Sequence, residues 1–101
     1  MRTQVVTLKH GFKVGGEYLR DVVLREPCVG DMIKAESLMP ANGGSIAFRS
    51  ALVATCIEKL DGADFPVTVA MVGELKLADY NILIDALGQL EADGVDEAKK
   101  E

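Results

Sequence analysis

The fold is decided by residues 3–24, which read TQVVTLKHGFKVGGEYLRDVVL. The first run, Thr3–Leu8, is rich in β-branched residues and predicts a strand. The second run, Glu17–Leu24, predicts another strand, and its imperfect alternation indicates at least one shifted or bulged position. The glycine-rich stretch between them, Lys9–Gly16, is typical of a turn or a loose hairpin tip. Because two strands alone are marginal in water, we expect other elements to cover one face of this hairpin.

Downstream of the hairpin, the sequence predicts helices. Pro27 ends the second strand, since it has no amide donor. Gly30 is an acceptable N-cap for a short helix, and Asp31 then falls where a negative charge favours the helix dipole. Ser45 is a good N-cap for a second helix, Ile46–Leu60. Apolar residues cover most of the circumference of this second helix, which predicts a central position or contact with a partner chain.

The C-terminal half predicts further helical structure. Val67–Leu75 carries β-branched residues that suit a strand, but Pro66 and the position ahead of another helix favour a short helix. Apolar spacing predicts a last helix over Leu77–Glu91. The predicted fold class is therefore α+β, with an N-terminal antiparallel β-hairpin followed by a small bundle of three to four helices. We expect a single domain over residues 1–92 and a charged, flexible tail over residues 93–101.

Composition excludes several classes of function. The chain has 101 residues, a net charge of −5 and 49% hydrophobic residues, which is a globular composition. An acidic chain without a basic run is a poor nucleic-acid binder, and 5% aromatics without Trp offer few stacking platforms. Apolar stretches too short for a signal peptide or a membrane span disfavour both. We expect Cys28 and Cys56 to be reduced thiols in a cytoplasmic protein.

The sequence carries no arrangement that predicts catalysis. His10 is the one histidine, and with Cys28 and Cys56 it lacks the spacing of a metal site or of a nucleophile with its base. The glycines around Lys13 do not match a phosphate-binding loop. We therefore expect a protein that is not an enzyme and that uses no cofactor and no metal.

Methionine placement indicates a candidate interaction surface. Met is adaptable and is over-used on promiscuous binding surfaces, although plain core packing is the alternative interpretation of the same residues. The first helix carries more apolar area than one face can bury, and the second is apolar nearly all round. The candidate partner-binding residues on and beside these helices are Met32, Ile33, Met39, Phe48 and Leu52.

Two short stretches carry a family resemblance. The first is Leu24–Asp31, LREPCVGD, in which a strand ends in Arg-Glu-Pro and a Gly-Asp pair begins a helix. The second is Leu75–Leu83, LKLADYNIL, with a Leu-x-x-x-Asp-Tyr helix start. With the opening strand and the glycine-rich turn, this order resembles the tail assembly chaperones of long-tailed, Mu-like phages and prophages. The resemblance covers about residues 3–91, and Cys28 stands where many family members have Thr.

The resemblance implies a non-enzymatic cytoplasmic protein that binds the tape-measure protein and keeps it soluble until the tail tube polymerises. It also implies a longer form of the same protein, made by ribosomal frameshifting, as a second partner. The apolar helix surface favours a homo-oligomer. The alternatives are a structural tail or baseplate component, and a small cytosolic adaptor unrelated to phage.

Overall fold

In a computed structural model, the backbone is described for residues 2–100 and the side chains for residues 2–95. A three-stranded antiparallel sheet in the order β1-β2-β3 packs against helices, and the α+β class with an N-terminal hairpin is confirmed. The described part has four helices. In chain order the elements are β1 (Thr3–Val14), β2 (Glu17–Arg25), α1 (Val29–Leu38), α2 (Ser45–Cys56), β3 (Ile57–Leu60), α3 (Val69–Gly73) and α4 (Leu77–Lys100).

The first strand is longer than predicted. The segment Lys9–Gly16 was expected to be a turn, but β1 runs through it to Val14, and only Gly15 and Gly16 form the tip. Phe12 explains the difference, because its side chain is 2% exposed and anchors this part of the strand in the core. Burial of one large aromatic side chain outweighs the local preference of the nearby glycines for a turn.

The predicted bulge is confirmed in β1. Thr7 pairs with Asp21 and Phe12 pairs with Leu19, so the intervening residues of β1 outnumber those of β2. Gly11 lies in this bulge at φ +91, a conformation that L side chains rarely adopt. A Cβ atom there would lie 2.5 Å from the carbonyl oxygen of Leu19, so the bulge requires glycine at this position.

The second helix is shorter than predicted. A helix was expected over Ile46–Leu60 with Ser45 as its N-cap, but α2 has Gly44 as N-cap and ends at Cys56. Ile57–Leu60 instead forms β3, which pairs with β2. The buried residues of β3 share the core face with those of β2, and the pairing satisfies backbone groups that β2 would otherwise leave open.

The remaining helices differ from the predictions mainly at their ends. The N-cap of α1 is Cys28 rather than Gly30, and Asp31 closes a reciprocal capping box with it. The preference for a short helix within Val67–Leu75 is confirmed by α3. The helix predicted to end at Glu91 continues to residue 100. The division into a domain of residues 1–92 and a tail of residues 93–101 stays a prediction.

The core lies between one face of the sheet and the helices. α4 contacts β1 and β2, and α2 contacts β2 and β3, whereas α1 packs on α2. The predicted central position of the second helix is confirmed for α2, whose buried run includes Ala51–Ala54. Alternate residues of the strands face these helices, among them Leu8, Val22, Leu24 and Leu60.

Candidate partner-binding site

An ion pair between β2 and α1 positions the candidate surface. Arg25 donates two side-chain hydrogen bonds to Asp31, at 2.6 Å and 2.5 Å, and a third to the carbonyl oxygen of Thr55 at 3.3 Å. The Asp31 carboxylate also accepts the backbone N–H of Cys28 at 2.8 Å. These contacts fasten the first turn of α1 to the end of β2 and to the end of α2.

This arrangement shifts the pKa values of both partners. The hydrogen bonds from Arg25 and the N–H of Cys28 outweigh burial and hold the pKa of Asp31 well below its usual range. The hydrogen bonds to Asp31 likewise raise the pKa of Arg25. Both groups are therefore charged at neutral pH, and the pair is a stable ionic anchor for α1.

The inward-facing residues of α1 leave its apolar side chains at the surface. Asp31 and Ala35 are the buried residues of this helix. Val29 is 71% exposed, Ile33 is 63% exposed and Met32 is 46% exposed. A helix that turns its carboxylate inward and its aliphatic side chains outward offers an apolar surface to a partner.

A groove of about 370 Å³ lies beside this surface, between α1, α2 and α4. Its walls are apolar, and Arg49 and Glu91 place one positive and one negative charge at the lining. Apolar grooves with a polar rim receive amphipathic helices in many complexes. The lining residues are Met32, Ser45, Phe48, Arg49, Leu52, Ile84, Leu87, Gly88 and Glu91.

The structure brings three of the five candidate residues together. Met32, Phe48 and Leu52 line the groove, and Leu52 is buried at its base with 6% exposure. Ile33 lies outside the groove, on the exposed face of α1. Met39 is the C-cap of α1 and half-buried, close enough to Gly43 that a Cβ there would lie 3.1 Å from the Met39 methyl carbon.

The groove also contains residues that were not among the candidates. Ile84, Leu87 and Gly88 of α4 form one wall. Their signal in the sequence is the apolar stripe of the last helix, which includes Ile84 and Leu87. The stripe does not indicate that α4 lies beside Phe48 of α2, because the relative placement of the two helices depends on tertiary packing.

Asp79 fixes the position of α4 on the sheet. Its carboxylate accepts the backbone N–H groups of Lys9 at 2.7 Å, of His10 at 3.0 Å and of Gly11 at 2.9 Å. The side chain is fully buried, and although burial alone would raise its pKa, these hydrogen bonds outweigh burial and lower the pKa of Asp79. Asp79, in the first turn of α4, therefore also closes the β1 bulge.

Among the described side chains, the other reactive groups do not form a site. Burial raises the pKa of the Cys56 thiol to about 12, while Cys28 is exposed. Within the described side chains, no group of three or more His, Cys, Asp or Glu residues is arranged to hold a metal ion. Among the helices that the structure describes, none combines the length and the hydropathy that a membrane span needs.

Comparison with known proteins gives the class of this chain. The family model described as phage tail assembly chaperone proteins, E, or 41 or 14, matches residues 5–91. The match spans most of β1, all of β2, α1, α2, β3 and α3, and most of α4. No curated protein and no solved structure matches the chain. The chain belongs to the phage tail assembly chaperone family.

Proposed function

We propose that this protein binds the tape-measure protein of a Mu-like phage or prophage and keeps it soluble until the tail tube polymerises. The observation that carries the proposal is the family match over residues 5–91, in a chain whose α1 exposes Val29, Met32 and Ile33 beside an apolar groove. A chaperone of this kind needs adaptable apolar surface rather than a pocket of titratable groups. The proposed role is non-catalytic and is carried out in the host cytoplasm.

The shape and lining of the groove favour a client segment that binds as a helix. Its apolar lining suits the apolar face of an amphipathic helix. Arg49 and Glu91 at the lining pair with opposite charges that flank such a face, which favours one orientation of the client. Met32 adds an unbranched side chain that adapts to irregular client surfaces, so one groove accommodates several segments of a long client.

Two further partners belong to the proposal. One is a frameshift-extended form of the same protein, which would carry the groove on a longer chain. The other is a second copy of the chain itself. A small protein with several exposed aliphatic side chains gains by covering them in a symmetric contact.

Co-expression tests the proposed function. The tape-measure protein of the same phage or prophage is expressed alone, with this protein, and with an unrelated acidic protein of similar size as a control. The proposal predicts that the tape-measure protein becomes soluble and co-purifies only with this protein. A tape-measure protein that stays insoluble in all three cultures, and in a fourth culture with the extended form, contradicts the proposal. That result favours a structural tail component, which would be found in mature particles.

A further inference from the structure

The outer edge of β1 is open over its first residues. Within residues 2–100, β1 pairs with β2 and no strand lies on its other side. The N–H of Glu26 donates to the carbonyl oxygen of Arg2 at 2.8 Å, so the backbone of Arg2 faces β2. The N–H and C=O groups of successive residues in a strand point to opposite edges. Those of Gln4 therefore also point toward β2, whereas those of Thr3, Val5 and Thr7 point outward.

The contacts of Asp21 support this assignment independently. Asp21 is the partner of Thr7 in the β1–β2 register. The backbone N–H and C=O of Asp21 both bond to Asp61, on the β3 side of β2. The backbone N–H and C=O of Asp21 therefore point away from Thr7. The two residues contact each other through their side chains, since the Thr7 hydroxyl donates to the Asp21 carboxylate at 3.1 Å.

Residues 9–11 of this edge are protected, whereas residues 3–7 are not. Beyond residue 8, Asp79 binds the successive N–H groups of Lys9, His10 and Gly11, and the bulge interrupts regular pairing. Bulges and charged residues are the usual means by which edge strands avoid pairing with other chains. Residues 3–7 read TQVVT, with no charge, no proline and no glycine, and Val5 is 66% exposed.

The order of the outward-facing residues identifies the occupant. The outward-facing residue types are in the order Thr-Val-Thr, which is the same from either end. An antiparallel copy centred on Val5 therefore places Val5 opposite Val5 and Thr3 opposite Thr7. Threonine and β-branched pairs are favourable across antiparallel strands. We propose that two copies of this chain pair antiparallel through residues 3–7 of β1, about a two-fold axis at Val5, and join their sheets into one.

This inference rests on the self-association within the proposed function, but it involves no client. A cysteine at the two-fold axis tests the register. In the proposed pair the Cα atoms of the two Val5 residues lie about 5.5 Å apart, which is within the range that a disulfide spans. The test uses Val5→Cys in a Cys28→Ser background, in which serine keeps a favourable N-cap on α1. Thr7→Cys in the same background is the matched control, because Thr7 lies opposite Thr3 and away from its own copy.

Mild oxidation should convert the Val5→Cys variant to a covalent dimer and leave the Thr7→Cys variant without a covalent cross-link. Light scattering gives a second readout: Val5→Lys should halve the measured mass, while Val29→Lys, the same change on the exposed face of α1, should not. A monomeric wild type, equal cross-linking of the two cysteine variants, or a dimer unaffected by Val5→Lys overturns the inference. In the separate co-expression assay, a Val5→Lys variant that stays dimeric but loses the tape-measure protein also overturns it and assigns the edge to the client. Since both readouts lack the client, their failure leaves the proposed client binding untouched.

Discussion

Arg25 and Asp31 form a bidentate ion pair that joins the last residue of β2 to the first turn of α1. The pair explains the Arg-Glu-Pro-x-x-Gly-Asp stretch, whose first and last residues are these two partners. Pro27 ends the strand between them, and Cys28 caps the helix. The stretch therefore has a structural role. It fixes the orientation of α1, and so determines the direction in which α1 presents its apolar side chains.

Removing the guanidinium of Arg25 should leave the carboxylate of Asp31 poorly solvated and without its partner. We expect Arg25→Met to reduce the free energy of unfolding by about 2 kcal/mol, less than for a fully buried pair because the Arg25 side chain is 20% exposed. The control is Lys59→Met, which removes the exposed pair between Lys59 and Asp64 and should cost no more than about 0.5 kcal/mol. Urea unfolding measures both. Equal losses in the two variants would show that the Arg25 pair contributes no more than a surface pair.

Asp79 should contribute more to the free energy of unfolding than an exposed aspartate of the same helix. We expect Asp79→Asn to cost about 2–3 kcal/mol, because an amide has one acceptor oxygen and presents its NH₂ group to the donors of Lys9–Gly11. Asp85→Asn is the matched control, since Asp85 lies exposed on the same helix. Hydrogen exchange of the amides in Lys9–Gly11 should rise in the Asp79 variant alone. Unchanged protection there would mean that the carboxylate does not hold the bulge.

Acid should destabilise the fold through the same two carboxylates. Asp31 and Asp79 have pKa values in the folded protein below the usual value of 3.8. Their contribution is therefore complete above about pH 5 and is lost progressively as the pH falls toward the lower folded values. We expect the free energy of unfolding to decrease steeply below about pH 4, with a smaller decrease in Asp31→Asn. Identical pH profiles of the wild type and this variant would contradict the assignment of Asp31.

Gly11 should tolerate substitution less well than Gly16. Both have positive φ, but a Cβ at Gly11 would lie 2.5 Å from the carbonyl oxygen of Leu19, whereas a Cβ at Gly16 meets no atom within 4 Å. We expect Gly16→Ala to cost about 1–2 kcal/mol from backbone strain alone, and Gly11→Ala to cost more. Thermal unfolding of the two variants compares them. Similar melting temperatures would show that the bulge relaxes around the new methyl group.

Local signals in the sequence were sufficient for most elements. The β-branched runs predicted both strands of the hairpin, and the residues around Pro66 favoured the short helix that α3 confirms. The spacing of the Leu24–Asp31 stretch supported a helix start, and the family resemblance agreed with the match over residues 5–91.

The errors arose where tertiary contacts outweigh local preference. Ile57–Leu60 continues an apolar helical pattern, but pairing with β2 makes it a strand. Gly11 predicts a turn by itself, but the buried side chain of Phe12 and the carboxylate of Asp79, far away in sequence, hold this segment in β1. Met32 and Phe48, two of the candidate residues predicted from the sequence, line the groove, whereas its α4 wall depends on how two helices cross.

The groove as the client site is tested most directly by paired glutamate substitutions in the co-expression assay. Met32→Glu places a charge in the groove, while Leu77→Glu places one at another exposed apolar position, outside its lining. We predict that the wild type and Leu77→Glu keep the tape-measure protein soluble and that Met32→Glu loses most of it, with both variants folded by circular dichroism. A Met32→Glu variant that retains the tape-measure protein as well as the wild type does would contradict the groove as its binding site.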